Sequence, residues 1–147
     1  MNKLLLQLLV AVLIVGLVSG EVERVSKKKS FPGRGVLQIR REGTNNGRFV
    51  KISLWDFKTL INNKQLSQQD IDAIKAVYDK PDFISAPNKS RFAPETVPNG
   101  HFIYIVVIPN SPNYKTFAWT SGYPGSPAWL HLFENLLDKY GIPGNGK

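Results

Sequence analysis

No cysteine occurs among the 147 residues of the chain, and this absence constrains the fold more than any other feature. Small secreted domains often depend on disulfides, so this chain must be held together by apolar packing alone. The 127 residues after position 20 suffice for one domain. At that length roughly two-thirds of the unfolded surface is buried on folding. The absence also excludes thiolate catalysis and cysteine-ligated zinc.

The N-terminus has the pattern of a secretory signal peptide. Lys3 is followed by an almost wholly apolar run from Leu4 to Val18, and small residues follow it up to Gly20. This order is typical of a cleaved signal, and we predict cleavage after Gly20 and export, to the extracellular space or to a bacterial periplasm. The run is shorter than the about 20 residues of a spanning helix. We therefore expect no stable membrane insertion after cleavage.

Residues 21–34 are predicted to form a flexible basic leader. They contain few apolar residues and include the triplet Lys27, Lys28 and Lys29, a composition typical of disordered segments. The formal net charge of the whole chain is +8, and such an excess favours anionic partners. The triplet is thus a candidate polyanion-binding site, although a solvated tail that aids solubility is the plainer interpretation.

Residues 35–147 are predicted to form a single α+β domain. Apolar periodicity predicts four strands, at residues 36–41, 49–54, 101–108 and 114–120. Residues at helical spacing predict two helices, one capped by Ser67 and one over residues 129–140. Two hairpins, each followed by a helix, predict an antiparallel four-stranded sheet with helices on one face (ββαββα). The apolar run of the third strand predicts a central strand or one buried on both faces.

A long connection separates the two halves of this predicted arrangement. Residues 82–100 contain three prolines and no apolar periodicity. Long irregular connections in compact domains are usually functional or disordered loops, so we predict a loop here. Its triplet Asn88-Lys89-Ser90 matches a glycosylation acceptor, which matters only in a host that glycosylates secreted proteins.

No arrangement of residues predicts an active site. His131 and Glu134 lie three positions apart on a predicted helix, but a zinc site needs a third ligand. A surface pair is the better interpretation, and His101 is interpreted as a structural residue at the start of a strand. The sequence contains no nucleophile elbow, no paired carboxylates and no phosphate-binding glycine loop. We expect no enzyme, no metal and no cofactor.

Nucleic-acid binding is also not expected. It requires basic residues interleaved with stacking aromatic residues on one face. The nearest approach is Phe49 with Arg48 and Lys51, and packing of Phe49 in the core explains its position equally well.

Four local patterns in residues 36–140 together resemble a known family. They are the strand 37–40 leading into a turn between Gly43 and Gly47, the segment 81–87 in which aromatic Phe83 precedes Pro87, the strand entry 101–104, and Pro127 followed by the helix with Leu136 and Leu137. In this order they resemble the emfourin family, small protein inhibitors of thermolysin-like zinc metallopeptidases. The export signal, the basic leader and the triplet Thr44-Asn45-Asn46 depart from the family pattern.

The resemblance implies a protein partner, namely a secreted zinc metallopeptidase, and a contact made by the first hairpin turn. The implied contact residues are Glu42, Gly43, Thr44, Asn45, Asn46, Gly47 and Arg48. An oxygen of Glu42, Asn45 or Asn46 would approach the catalytic zinc of the protease, while Arg41 and Arg48 would meet acidic groups. Two alternatives remain open: these residues only shape the turn, or the protein is a non-enzymatic extracellular module that binds a polyanion, an anionic surface or another protein.

Overall fold

The computed structural model describes residues 31–43 and 45–146. The predicted signal peptide, residues 21–30 with the Lys27–Lys29 triplet, and Thr44 of the predicted turn lie outside the described residues. Within the described ranges, no helix has the length and apolar character needed to cross a membrane.

The described residues combine three helices with a sheet whose strands are mostly antiparallel, which confirms the α+β class. The order of the elements is β1 (Val36–Glu42), β2 (Arg48–Ser53), β3 (Lys58–Thr59), α1 (Gln68–Val77), α2 (Pro81–Ser85), β4 (Lys89–Phe92), β5 (Ile103–Asn110), β6 (Asn113–Trp119), α3 (Leu130–Tyr140) and β7 (Ile142–Pro143).

All the strands belong to one mixed sheet. Its order is β3-β2-β1-β5-β6-β4, and β7 pairs with the other end of β2. Both predicted hairpins are present as β1–β2 and β5–β6, and β1 pairs antiparallel with β5. The predicted layout of four antiparallel strands is wrong in its extent, because three short strands extend the sheet and β4 runs parallel to β6. Strands of two to four residues are too short to show a periodic pattern.

The predicted loop at residues 82–100 contains two elements that were not predicted, most of the short helix α2 and the strand β4. Pro81 begins α2, and β4 lies between Pro87 and Pro94. The strand is secured at both ends, because the Thr116 N–H donates to the Asn88 carbonyl at 2.8 Å and the Thr120 N–H to the Phe92 carbonyl at 3.1 Å. Prolines that flank an edge strand do not interrupt its ladder, so they gave a misleading loop signal.

The predicted helix after Ser67 is confirmed as α1. The Ser67 hydroxyl oxygen accepts the Asp70 N–H at 3.3 Å, which caps the helix. Asp70 also joins α1 to α3, since its carboxylate accepts from the Tyr140 hydroxyl at 2.5 Å and from Lys139 Nζ at 2.7 Å. Burial raises the pKa of Asp70, but the hydrogen bonds from Lys139, Tyr140 and Ser67 outweigh it, so the net pKa is lowered.

The core lies between one face of the sheet and the helices. Alternate strand residues are buried there: Leu37, Ile39, Val50, Ile52, Tyr104, Val106, Ile108, Phe117 and Trp119. Helices α1 and α3 contribute apolar residues to the same cluster, and Phe83 of α2 joins them. Phe31, within the predicted leader, also packs on this core, with its ring centroid 5.5 Å from that of Phe57.

Strand β5 is central in the sheet, as predicted, but it is not buried on both faces. Tyr104, Val106 and Ile108 are buried, whereas Ile103, Ile105 and Val107 remain partly exposed. All three helices of the described residues pack on the face of the sheet that carries Tyr104, Val106 and Ile108. Antiparallel sheets commonly leave one face to solvent, and we call the other side, on which no helix of the described residues lies, the open face.

Candidate functional site

The turn between β1 and β2 projects two exposed asparagines. Arg41 pairs with Arg48 at the end of the ladder, so the chain reverses between Glu42 and Gly47. Asn45 and Asn46 are exposed in this turn. Glu42 is also exposed, and its Oε1 lies 3.3 Å from Nη2 of Arg40. The predicted contact residues on the described part of the turn therefore come together at one end of the sheet.

Arg41 links this turn to the start of β5. Its Nε donates to the main-chain carbonyl of Asn46 at 3.0 Å. Its guanidinium carbon lies 4.4 Å from the centroid of the Phe102 ring, within the range of a cation–π contact. The charged group thus contacts groups of its own chain at a partly exposed position, and the hypothesis that Arg41 also meets acidic groups of a partner stays a prediction.

The segment after α3 supports the other side of the turn. Strand β7 pairs with the first two residues of β2, and the Gly144 N–H donates to the Gly47 carbonyl at 3.0 Å. A Cβ at Gly47 would lie 2.5 Å from Oδ1 of Asn145 and 3.0 Å from the carbonyl oxygen of Gly43. Position 47 therefore has no room for a side chain, and the turn is packed closely against this segment.

Arg48 connects the turn to the end of α3. Its Nε donates to the Leu137 carbonyl at 3.1 Å, and its Nη2 donates to the Gly141 carbonyl at 2.8 Å. Carbonyls at a helix C-terminus lack partners within the helix and attract cations. The structure therefore places the partly buried Arg48 guanidinium against the end of α3, and the hypothesis that it meets acidic groups of a protease stays a prediction.

A polar cluster lies near this hairpin, on the core side of the sheet. Trp119 Nε1 donates to Oε2 of Glu134 at 3.1 Å, and the Tyr104 ring stacks on Trp119 with centroids 5.5 Å apart. Burial raises the pKa of Tyr104, and Glu134 adds to the increase while Arg41 opposes it. Glu134 is buried, so the prediction of a surface pair is correct only for His131, whose Nδ1 lies 3.5 Å from the carboxylate.

The polar cluster offers no metal site. No group of three His, Cys, Asp or Glu side chains within residues 31–43 and 45–146 is arranged to hold a metal ion. The indole hydrogen bond to Glu134 satisfies a buried carboxylate next to the core. We interpret the cluster as a support for β5, β6 and α3. His101 is exposed just before β5 begins, and its N–H donates to the Pro98 carbonyl at 3.1 Å.

The open face combines basic side chains with an apolar centre. Two rows cross the strands, one of Lys51, Gln38, Val107, Thr116 and Lys89 and one of Phe49, Arg40, Ile105, Ala118 and Arg91. A shallow depression lies at one side of the centre, lined in part by Arg40, Lys51 and Ile105. Sequence periodicity separates the two faces of each strand, but only the pairing register reveals which charges share a row.

Phe49 lies on this open face and not in the core. A Cβ at Gly144 would be 3.0 Å from Phe49 Cε1, and a Cβ at Gly146 would be 3.2 Å from Phe49 Cβ. The segment 144–146 therefore lies against the ring. Stacking of bases requires an accessible ring face, and this segment covers part of the Phe49 ring; the absence of nucleic-acid binding stays a prediction.

Comparisons of the chain with protein-family models, with curated proteins and with solved structures found no match. The function is therefore argued from the geometry described above.

Proposed function

We propose that this protein is a secreted, emfourin-like inhibitor of thermolysin-like zinc metallopeptidases that binds its target through the β1–β2 turn. One observation carries the proposal: the second half of the turn, from Asn46 to Arg48, is held by contacts from three directions while Glu42, Asn45 and Asn46 remain exposed. Ordering a flexible loop on binding costs affinity. The positions that these contacts already hold avoid part of this cost, as an inhibitor requires.

The contact residues divide into two groups under this proposal. Glu42, Asn45 and Asn46 offer exposed oxygens that are able to approach the catalytic zinc of the protease or displace its water. Arg41 and Arg48 act as internal supports, because their guanidinium groups bind main-chain carbonyls of this chain. Gly43 and Gly47 allow the two sides of the turn to approach each other, because a Cβ at Gly47 would lie 3.0 Å from the Gly43 carbonyl oxygen.

The family layout is part of the same proposal. The antiparallel strands β2, β1, β5 and β6, together with α1 and α3, are the part of the structure that we assign to the ββαββα arrangement predicted from the order of the segments. Strands β3, β4 and β7 are then additions at the margins of this sheet. The additional strand β7 supports the turn directly through its pairing with β2.

The test is a titration of residues 21–147 against several thermolysin-like enzymes with a peptide substrate. We expect stoichiometric loss of protease activity, and we expect Asn45→Ala with Asn46→Ala to weaken inhibition roughly 30-fold, the effect of one hot spot of about 2 kcal/mol. Asn135→Ala is the matched control, since Asn135 is exposed on α3. Unchanged activity of every enzyme at excess inhibitor would refute the proposal.

Secretion rests on the N-terminal sequence pattern. Expression of the complete chain in a secreting host is expected to release a protein whose N-terminal residue is Glu21. Retention of residues 1–20 on the secreted or membrane-bound product would contradict this part of the proposal.

A second candidate function is attachment to a polyanion through the leader. It is favoured by the consecutive residues Lys27, Lys28 and Lys29 in the sequence. Retention on a heparin column should then fall with added salt, and it should be lost when the three lysines are replaced by glutamine. Retention that survives this triple replacement would assign heparin binding to another part of the chain.

A further inference from the structure

The open face of the sheet carries several lysines and arginines that have no role in the proposed binding through the hairpin turn. We infer that it is a second docking surface, and that its occupant is an acidic segment of a partner protein with apolar residues between its acidic ends. The argument rests on the strand register, on the charge balance of the described residues and on the apolar centre of the face. It does not depend on protease inhibition.

The net charge of the described residues is concentrated on this face. These residues contain 13 Lys and Arg and 9 Asp and Glu, a net charge of +4. The strand positions of the open face hold five cations and one anion: Arg40, Lys51, Lys58, Lys89 and Arg91 against Glu42. The rest of the described chain is therefore balanced, and the whole excess lies on one side of the sheet.

The cations form two groups with a gap between them. Lys51 and Lys89 share a row but lie on β2 and β4, four strand spacings apart. At about 4.8 Å per spacing this separation is about 19 Å. Arg40 lies near the first group and Arg91 belongs to the second. A ligand that meets both groups must cross β5 and β6.

The gap itself is mostly apolar. Ile105, Val107 and Ala118 occupy it together with the hydroxyl residue Thr116, and all four are partly exposed. Covering apolar area of this kind is favourable only if the ligand brings apolar atoms. A simple polyanion such as a sulfated polysaccharide would place charged groups over this strip and lose their hydration without compensation. The combination therefore fits a polypeptide with acidic ends and an apolar middle.

Nucleic acid fits the same face less well. Single-stranded nucleic acid binds by stacking its bases on aromatic rings along a basic groove. The centre of this face contains aliphatic side chains, and the ring of Phe49 is approached by Gly144 and Gly146. Tyr114 is exposed, but it lies at the start of β6, outside the two rows. Charge complementarity with an acidic polypeptide is thus the better match.

The experiment uses the protein from residue 21 onward and two fluorescent peptides of about ten residues, a length that spans the face when extended. Both peptides have glutamates at each end; one has leucines in the middle and the other has serines. Binding is followed by fluorescence anisotropy at low salt. We expect the leucine peptide to bind about 10-fold more tightly than the serine peptide. We also expect its amide shift changes in an NMR titration to fall on β1, β2, β5 and β6.

Variants test the two components of the face separately. Lys51→Gln with Lys89→Gln should weaken the leucine peptide about 10-fold, whereas Lys80→Gln, an exposed lysine between α1 and α2, should have no effect. Val107→Thr replaces an apolar methyl group with a hydroxyl of similar size, so it should weaken the leucine peptide more than the serine peptide. Circular dichroism of each variant verifies that the fold is retained.

Three outcomes would overturn the inference. Equal binding of the two peptides would assign the face to plain charge attraction. Binding of heparin or oligo(dA) more tightly than the leucine peptide, with loss in the double lysine variant, would assign it to a polyanion. Shift changes confined to α1, α2 or α3 would place the interaction on the other side of the molecule.

Discussion

Replacement of Arg48 by methionine is expected to destabilise the domain and loosen the turn together. The Arg48 side chain donates to the Leu137 carbonyl at 3.1 Å and to the Gly141 carbonyl at 2.8 Å, the second of which lies 93 residues further along the chain. The Leu137 carbonyl keeps a partner, because it also accepts the Gly141 N–H at 2.8 Å. Methionine preserves most of the aliphatic packing, so the loss is chiefly that of the hydrogen bonds.

The magnitude follows from these contacts. A hydrogen bond from a charged donor contributes about 1.5–3 kcal/mol, and a cation at a helix C-terminus adds about 0.3–1 kcal/mol. Since one carbonyl remains satisfied and the site is only partly buried, we expect a loss of about 2–3 kcal/mol in the free energy of unfolding. For a domain of this size the melting temperature should fall by about 10 °C.

The assay is urea unfolding monitored by tryptophan fluorescence, with Arg91→Met as the control. Arg91 is exposed and donates a single hydrogen bond, to the Pro94 carbonyl at 3.0 Å. Its replacement should change the free energy of unfolding by less than about 0.5 kcal/mol. If Arg48→Met and Arg91→Met have equal effects, Arg48 does not secure the helix end. Exchange of the turn amides with deuterium should accelerate in Arg48→Met alone if the turn depends on this contact.

Three further changes test other contacts of the structure. Gly47→Ala should lower the free energy of unfolding in urea by about 1–3 kcal/mol, because the new Cβ would meet Asn145 and the Gly43 carbonyl. Gly43→Ala should lower it less, since a Cβ there has no neighbour closer than 3.5 Å. Equal losses would contradict the close approach at Gly47. Lys115→Met should lower stability by about 1–3 kcal/mol, since it leaves the Phe83 and Ile84 carbonyls without the Nζ donor at 2.6 and 2.9 Å; an unchanged melting temperature would refute this role. The pKa of Asp70 is lowered in the folded protein, so the unfolded chain binds the proton more tightly. The stability that Asp70 contributes is therefore present above its ordinary pKa of about 3.9 and is lost as pH falls through the folded-state pKa. Asp70→Asn should show a shallower loss of stability in acid, and identical pH profiles would exclude the effect.

The parts of the fold that were predicted correctly have local signals. The β1–β2 and β5–β6 hairpins each have strand segments rich in apolar residues on either side of a turn. Ser67 caps α1 within the same segment of sequence. Each signal is contained in about ten neighbouring residues, where periodicity and capping act. The α+β class follows from the order of these segments alone.

The parts that were missed depend on partners far away in the sequence. Strand β4 exists because β6 offers it an unpaired edge, and β7 exists because the chain after α3 returns to β2. The two roles of the candidate turn residues were missed for the same reason. Nothing adjacent to Arg48 in the sequence indicates that carbonyls near residue 140 will accept its hydrogen bonds.

The absence of cysteine gives these distant contacts a particular importance. Arg48, Lys115 and the Tyr78 hydroxyl each donate to a main-chain carbonyl at least 31 residues away. A disulfide would also restrict the unfolded chain, whereas these hydrogen bonds act only in the folded state. The end of α3 and β7 therefore contribute to the order of the second half of the β1–β2 turn, through Arg48 and Gly47. A partner that binds the ordered turn must in turn stabilise the end of α3, because a ligand selective for one state favours that state by linkage.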